Sequence, residues 1–105
     1  MKMIVVQTTT ANAADAERLA EALVTERLAA CVQIDPIRSL YVWKGQVERQ
    51  EERRLSIKTR ADLFEAVRAR LRDLHSYDTP EVIALPVEAA DPDYLAWLAE
   101  TTGAR

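Results

Sequence analysis

The chain has 105 residues, of which 49% are hydrophobic, and a formal net charge of −3. This length and composition predict one compact domain over residues 1–105 and exclude a disordered chain, while the net acidity argues against nucleic acid or an anionic membrane as a partner. One cysteine cannot form an internal disulfide, and the first apolar run is too short for a signal peptide or a membrane span. We therefore expect a cytoplasmic protein.

The first predicted strand covers residues 3–9, where a continuous apolar run is typical of a central strand covered on both faces. Asn12 then predicts the start of a helix over residues 13–27, with Asp15 at the position of a capping-box acid. The apolar residues of this helix fall on one stripe, which we expect to pack on a sheet. They are Ala16, Leu19, Ala20 and Leu23.

A second strand is predicted to begin at Cys31 and to be interrupted at Pro36, because proline cannot donate to the hydrogen-bond ladder. The strand resumes at Ser39 and includes LYVW, residues 40–43, which is apolar or aromatic on both faces. Such a segment needs a covering surface from outside the chain.

A third strand is predicted after Gly45 and up to Thr59. Its middle, ERQEERR at residues 48–54, is entirely polar and cannot line a core. This run predicts either a hairpin arm that projects beyond the sheet or an ordinary solvated hairpin.

Thr59 and Asp62 form a second capping-box pattern, which predicts a helix ending near Leu74. Its apolar residues keep the helical 3-4-3 spacing: Phe64, Val67, Leu71 and Leu74. VIALPV, residues 82–87, predicts a fourth strand buried on both faces. A final helix is predicted from Asp91-Pro92, with apolar residues Tyr94, Leu95, Trp97 and Leu98.

The resulting order, βαββαβ with a C-terminal helix, predicts a ferredoxin-like α/β (α+β) sandwich with an antiparallel sheet and both linking helices on one face. The other face of the sheet then has no cover within the chain. Burying it calls for self-association, and a closed ring of subunits would also remove the exposed strand edges.

No catalytic motif is present, so we expect a protein without enzymatic activity. Cys31 is interpreted as a buried, inert thiol or as a copper or zinc ligand. His75 is interpreted as a helix C-terminal cap, a metal ligand or an acid-base partner of Glu81. One thiol and one imidazole per chain allow at best a weak metal site.

Other candidate residues also have two interpretations. Tyr41 and Trp43 are typical of interface anchors or, alternatively, of a platform on which a ligand stacks. Glu81 is expected to pair with a lysine such as Lys58 rather than to act in catalysis, and Tyr77 flanks the same segment.

The chain resembles the CutA family of divalent-cation tolerance proteins over nearly its whole length, in four segments: LAACVQI, SLYVWKGQVE, SIKT and LHSYDTPEVIALPVEAADPDYLAWL. The resemblance implies homotrimers of ferredoxin-like subunits, similar in architecture to the PII signalling proteins, with long hairpins that reach across to neighbours. It also implies a bacterial cytoplasmic location and a role in tolerance to copper and other divalent cations, with copper binding in some members.

The resemblance further implies a cluster at the subunit boundary that includes Cys31, Tyr41, Trp43, Lys58, His75, Tyr77 and Glu81. Some members carry a cysteine and a further histidine where this chain has Thr8 and Leu74, so a copper site of that kind would lose two of three donors here. Ser76 also replaces a common proline, which we expect to alter loop geometry and not the fold.

Two hypotheses follow. The first is a trimeric metal-response protein that binds divalent cations weakly, with His75 and Cys31 as candidate ligands. The second is a PII-like sensor that holds a small anionic metabolite beside Lys58, with Tyr77 and Glu81 shaping the pocket.

Overall fold

The structure is a computed structural model that describes residues 1–103. Its elements, in chain order, are β1 (Met3–Thr10), α1 (Ala13–Thr25), β2 (Cys31–Trp43), β3 (Gln46–Arg60), a 3-10 turn (Ala61–Leu63), α2 (Phe64–Leu74), β4 (Ile83–Pro86) and α3 (Pro92–Thr101). The four strands form one antiparallel sheet in the order β2-β3-β1-β4. This topology confirms the predicted ferredoxin-like fold with an added C-terminal helix.

Strand β1 lies in the middle of the sheet, as predicted. It pairs with β3 on one side and with β4 on the other, so that Val6 is opposite both Ile57 and Ala84. Since side chains alternate along a strand, every second residue of β1 and β3 faces α1 and α2. These core residues include Ile4, Val6, Leu55 and Ile57.

The helices bury the faces that their periodicity predicts. Asn12 caps α1, because its side-chain oxygen accepts a hydrogen bond of 2.8 Å from the backbone N–H of Asp15. The buried residues of α1 are Ala16, Leu19, Ala20 and Leu23, the predicted stripe. In α2, Val67 and Leu71 are fully buried, while Phe64 and Leu74 are partly buried against the same core.

Helix α3 begins at the predicted position and covers part of the second face of the sheet. Asp91 caps it, accepting hydrogen bonds from the backbone of Asp93 and Tyr94. Its Leu98 is fully buried against Met3, whose side chain lies on the face opposite Ile4. The expectation that this face has no cover within the chain is therefore wrong at one end of the sheet.

Two further predictions fail because of strand position. Strand β2 runs unbroken through Pro36, which lies opposite Arg53. It is an edge strand, so one side of it needs no ladder hydrogen bonds and tolerates a proline. Strand β4 is also an edge strand, has four residues instead of six, and is exposed rather than buried on both faces.

The second predicted capping box does not form. Strand β3 continues to Arg60, and the hydroxyl of the buried Thr59 donates a hydrogen bond of 2.6 Å to the carbonyl of Leu28. The Thr59 hydroxyl is therefore used in a tertiary hydrogen bond and not as the helix cap that the sequence pattern predicts.

Strands β2 and β3 form a long hairpin that contributes to the elongated dimensions of 45 × 25 × 21 Å. Its tip exposes aliphatic side chains on the face that continues the core side: Leu40, Val42 and Val47. Within residues 1–103, no helix is long and apolar enough to cross a membrane.

Candidate functional site

A cavity of about 660 Å³ lies between the β2–β3 hairpin and the segment that follows α2. Its lining includes three aromatic residues, Tyr41, Trp43 and Tyr77, and three carboxylates, Glu52, Asp78 and Glu81. The structure therefore brings together Tyr41, Trp43, Tyr77 and Glu81 of the predicted cluster. Glu52 was not predicted.

Strand alternation places the aromatic residues of the hairpin. Tyr41 and Trp43 alternate with Leu40 and Val42 along β2, so the two aromatic side chains share one face and the aliphatic ones share the other. Tyr77 reaches the cavity because α2 ends where His75 adopts an extended conformation and turns the chain back toward the hairpin.

A chain of hydrogen bonds joins the two walls of the cavity. The Tyr77 hydroxyl donates to Oε2 of Glu52 at 2.7 Å and accepts from Nε2 of Gln50 at 3.1 Å. The Tyr41 hydroxyl in turn donates to Oε1 of Gln50. Burial, reinforced by the bond to Glu52, raises the pKa of the Tyr77 hydroxyl well above its usual value, so Tyr77 stays a hydrogen-bond donor.

Glu52 is the unusual member of this group because it is only 5% exposed. Within residues 1–103 its carboxylate accepts one hydrogen bond, from Tyr77, and forms no ion pair. The described lining of the cavity also contains no lysine, arginine or histidine. The Glu52 carboxylate is therefore buried without a cationic side chain beside it among residues 1–103.

His75 has both ring nitrogens engaged. Nδ1 accepts a hydrogen bond of 3.1 Å from the backbone N–H of Tyr77, so the neutral ring carries its proton on Nε2, which lies 3.2 Å from the hydroxyl of the fully buried Thr8. The imidazole also contacts the Tyr77 ring, with 5.0 Å between the centroids. His75 thus occupies the C-cap position of α2, but its ring nitrogens bond to Thr8 and to the Tyr77 backbone rather than to the end of the helix, and neither is free for a metal ion.

The environment of His75 makes a testable prediction about pH. Burial lowers the pKa of the imidazole in the folded chain, whereas the unfolded chain has a pKa of about 6.5. Between these values the unfolded state binds more protons. Stability linked to His75 is therefore complete above about pH 6.5 and is lost as the pH falls through the folded pKa.

His75 is the only histidine, so its Hε1 resonance is unambiguous in a proton NMR titration. We expect a titration midpoint below about 6.5, together with a lower melting temperature at pH 5 than at pH 7. A midpoint at or above that of a free histidine would contradict the buried, neutral ring.

Cys31 lies apart from His75 within one chain. Across the sheet, Cys31 is opposite Lys58, which is opposite Val5. Thr8, the partner of His75, lies three residues farther along β1, roughly 10 Å away, and faces the other side of the sheet. The two candidate metal ligands are therefore not brought together by one subunit.

Lys58 is also outside the cavity. Its ammonium lies 5.7 Å from the centroid of the Tyr94 ring on α3, and among residues 1–103 it forms no ion pair with Glu81. The expected Lys58–Glu81 pair does not form within one subunit. In the same part of the chain, no group of three or more His, Cys, Asp or Glu side chains is arranged to hold a metal ion.

Residues 4–101 match the family model for the CutA1 divalent ion tolerance protein. The chain belongs to this family. The resemblance seen in the sequence segments is thereby confirmed.

Two relatives and one solved structure show how close the CutA likeness is. The chain is 40% identical over 100 residues to the divalent-cation tolerance protein CutA of Pyrococcus horikoshii, covering 95% of this chain and 98% of that one. It is 45% identical over 100 residues to the chloroplastic CutA 1 protein of Oryza sativa, covering 94% of this chain and 56% of that one. The solved structure of the periplasmic divalent cation tolerance protein CutA from Archaeoglobus fulgidus superposes with a TM-score of 0.95 at 37% identity, covering 96% of this chain and 99% of that one.

Proposed function

We propose that this protein acts in divalent-cation tolerance by binding divalent cations weakly at the mouth of the cavity, without catalysing a reaction. The family supports the general role in tolerance. The charge of the cavity carries the molecular part of the proposal: three carboxylates line it, and no cationic side chain among residues 1–103 does. Such a lining attracts cations and repels anions.

The mouth of the cavity supplies the oxygen donors. Asp78 and Glu81 are both exposed, and both belong to the segment that follows α2. Exposed carboxylates bind divalent cations without a large desolvation cost, but two of them make only a weak site. A copper ion prefers imidazole and thiolate donors, and a tighter copper site would require His75 and Cys31 of different subunits or a rearranged His75.

The proposal includes assembly as a homotrimer. The exposed aliphatic side chains of the hairpin tip support self-association because their contact with water is unfavourable. The edge strands β2 and β4 support it because they offer unpaired backbone groups to a neighbouring chain. A closed threefold ring would cover these surfaces in every subunit. The neighbouring chain would then also bring further donors toward the mouth of the cavity.

Calorimetric titration with copper and zinc tests the metal proposal. We expect a Kd on the order of 10⁻⁴ to 10⁻³ M, as for weak carboxylate sites. The double variant Asp78→Asn, Glu81→Gln is expected to weaken binding at least about tenfold, which corresponds to about 1.4 kcal/mol. Glu17→Gln, which removes one exposed carboxylate from α1, away from the cavity lining, serves as the control and is expected to bind as the native chain does.

His75→Ala separates the two metal hypotheses. Binding that is retained in His75→Ala and lost in the double variant supports the mouth carboxylates. If binding is lost only in His75→Ala, the imidazole is the metal ligand. If none of the proteins binds the metal ions, metal coordination is not the molecular role.

The lining gives no support to a small anionic metabolite, since Lys58 lies elsewhere and the cavity is acidic. A PII-like role with such a ligand stays a prediction, which thermal shift measurements with a metabolite panel would test. A cytoplasmic location also stays a prediction, because the names of the relatives include chloroplastic and periplasmic forms.

A further inference from the structure

The buried carboxylate of Glu52 has no counter-charge among residues 1–103. Its Oε2 accepts the hydrogen bond from Tyr77, whereas its Oε1 receives none within residues 1–103. Oε1 keeps some contact with the solvent of the cavity, because Arg60 Nε is the one fully buried side-chain polar atom without a hydrogen-bond partner among residues 1–103. A carboxylate that is largely removed from water is stabilised by a cation or by further hydrogen bonds. Because Glu52 lines the cavity, a cation bound there would supply the positive charge that residues 1–103 do not place beside it.

The aromatic walls narrow the kind of cation. Tyr41, Trp43 and Tyr77 surround the same space, and the faces of tyrosine and tryptophan rings attract organic ammonium groups. The indole of Trp43 already has the ammonium of Lys44 at 5.9 Å from its ring, which shows that this ring is accessible to a cation.

A bare metal ion fits the inner part of the cavity poorly. Divalent ions need several oxygen ligands, and around Glu52 no cluster of three acidic, thiol or imidazole side chains is present in residues 1–103. An ammonium group needs fewer strong acceptors, since aromatic faces stabilise the rest of its surface. A volume of about 660 Å³ also lies within the range of small-molecule sites.

We propose that this cavity binds a small aliphatic amine in its ammonium form, with an N–H group donating to Oε1 of Glu52 and the carbon chain lying against Tyr41 and Trp43. Asp78 and Glu81 at the mouth strengthen the attraction at long range and favour a diamine over a monoamine. This site is deeper than the proposed metal site, and neither proposal requires the other.

Titration calorimetry with 1,4-diaminobutane at pH 7 and constant ionic strength tests the proposal. The neutral 1,4-butanediol is the matched probe, because it keeps the chain length and loses the charge. We expect a heat of binding when 1,4-diaminobutane is titrated into the protein and none when 1,4-butanediol is titrated. Glu52→Gln keeps an acceptor for Tyr77 and removes the charge, so it is expected to weaken diamine binding at least tenfold, whereas Glu17→Gln leaves the affinity unchanged.

A second variant covers the case in which Glu52→Gln does not fold. Trp43 is half-exposed, so Trp43→Leu should fold, retain apolar character and lose the aromatic face. We expect it to weaken diamine binding at least fivefold. Equal affinity in the native chain and in both variants would overturn the proposal, as would a native chain that does not distinguish diamine from diol.

Two outcomes separate this proposal from the metal site. The double variant Asp78→Asn, Glu81→Gln is expected to lose divalent-cation binding and to lose the preference for a diamine over a monoamine, while both amines still bind in a way that depends on Glu52. Divalent-cation binding that persists in that variant would sink only the metal proposal, and amine binding that no longer depends on Glu52 would overturn the ammonium proposal. Magnesium chloride at the same ionic strength is expected not to displace the diamine. Displacement that depends on Glu52 would instead assign the inner cavity to metal ions and overturn the ammonium assignment.

Discussion

Leu19→Ala is expected to lower the free energy of unfolding by about 2–5 kcal/mol. Leu19 is fully buried in α1 and packs in the core cluster that contains Val6, Leu55 and Ile57. Its truncation removes apolar contacts and leaves a cavity between helix and sheet, which rigid strands on the other side cannot close.

Urea unfolding followed by circular dichroism measures this change. Val24→Ala is the matched control, since Val24 lies on the same helix but is 43% exposed, and it is expected to change the free energy by only about 0.5 kcal/mol. The comparison is made at equal chain concentration because self-association couples stability to concentration. Similar losses in both variants would contradict the assignment of the buried face.

The second large effect concerns the hairpin tip. Val42 and Val47 face each other across β2 and β3, and both are exposed. The double variant Val42→Glu, Val47→Lys keeps a favourable cross-strand pair and the net charge but places two charges on the surface that the proposed neighbour covers. We expect the native chain to scatter light with three times its mass of 11.8 kDa, and the variant with one.

Val24→Lys is the control for this experiment, because it places a charge on an exposed position of α1, away from the hairpin. It is expected to keep the trimeric mass. A native chain that is folded and monomeric at micromolar concentration would refute the proposed assembly, and a variant that remains trimeric would place the interface elsewhere.

The helices could be predicted well from the sequence because their signals are local. The spacing of apolar residues in α1 and α2 defines the buried stripe directly, and Asn12 and Asp91 act as caps where the pattern expects them. The errors lie in the strands. Whether Pro36 breaks a strand, or residues 82–87 are buried, depends on which strands form the edges of the sheet, and that is a property of the whole topology.

Part of the candidate site could likewise be predicted from the sequence, and part could not. The family resemblance pointed to Tyr41, Trp43, Tyr77 and Glu81, which line one cavity. Glu52 was missed because a polar run gives no sign that one of its members is buried. Once the hairpin register is known, alternation indicates that Gln50 and Glu52 share a face with Tyr41, and this register was the missing information.

The central position of β1 has a consequence for synthesis on the ribosome. Residues 3–10 are made first, yet their partners in β3 end at Arg60 and those in β4 end at Pro86. A nascent chain therefore carries the central strand of its sheet without either neighbour until most of the protein has emerged. Pairings so distant in sequence slow folding, and a holding chaperone is expected to improve the yield of this protein during rapid translation.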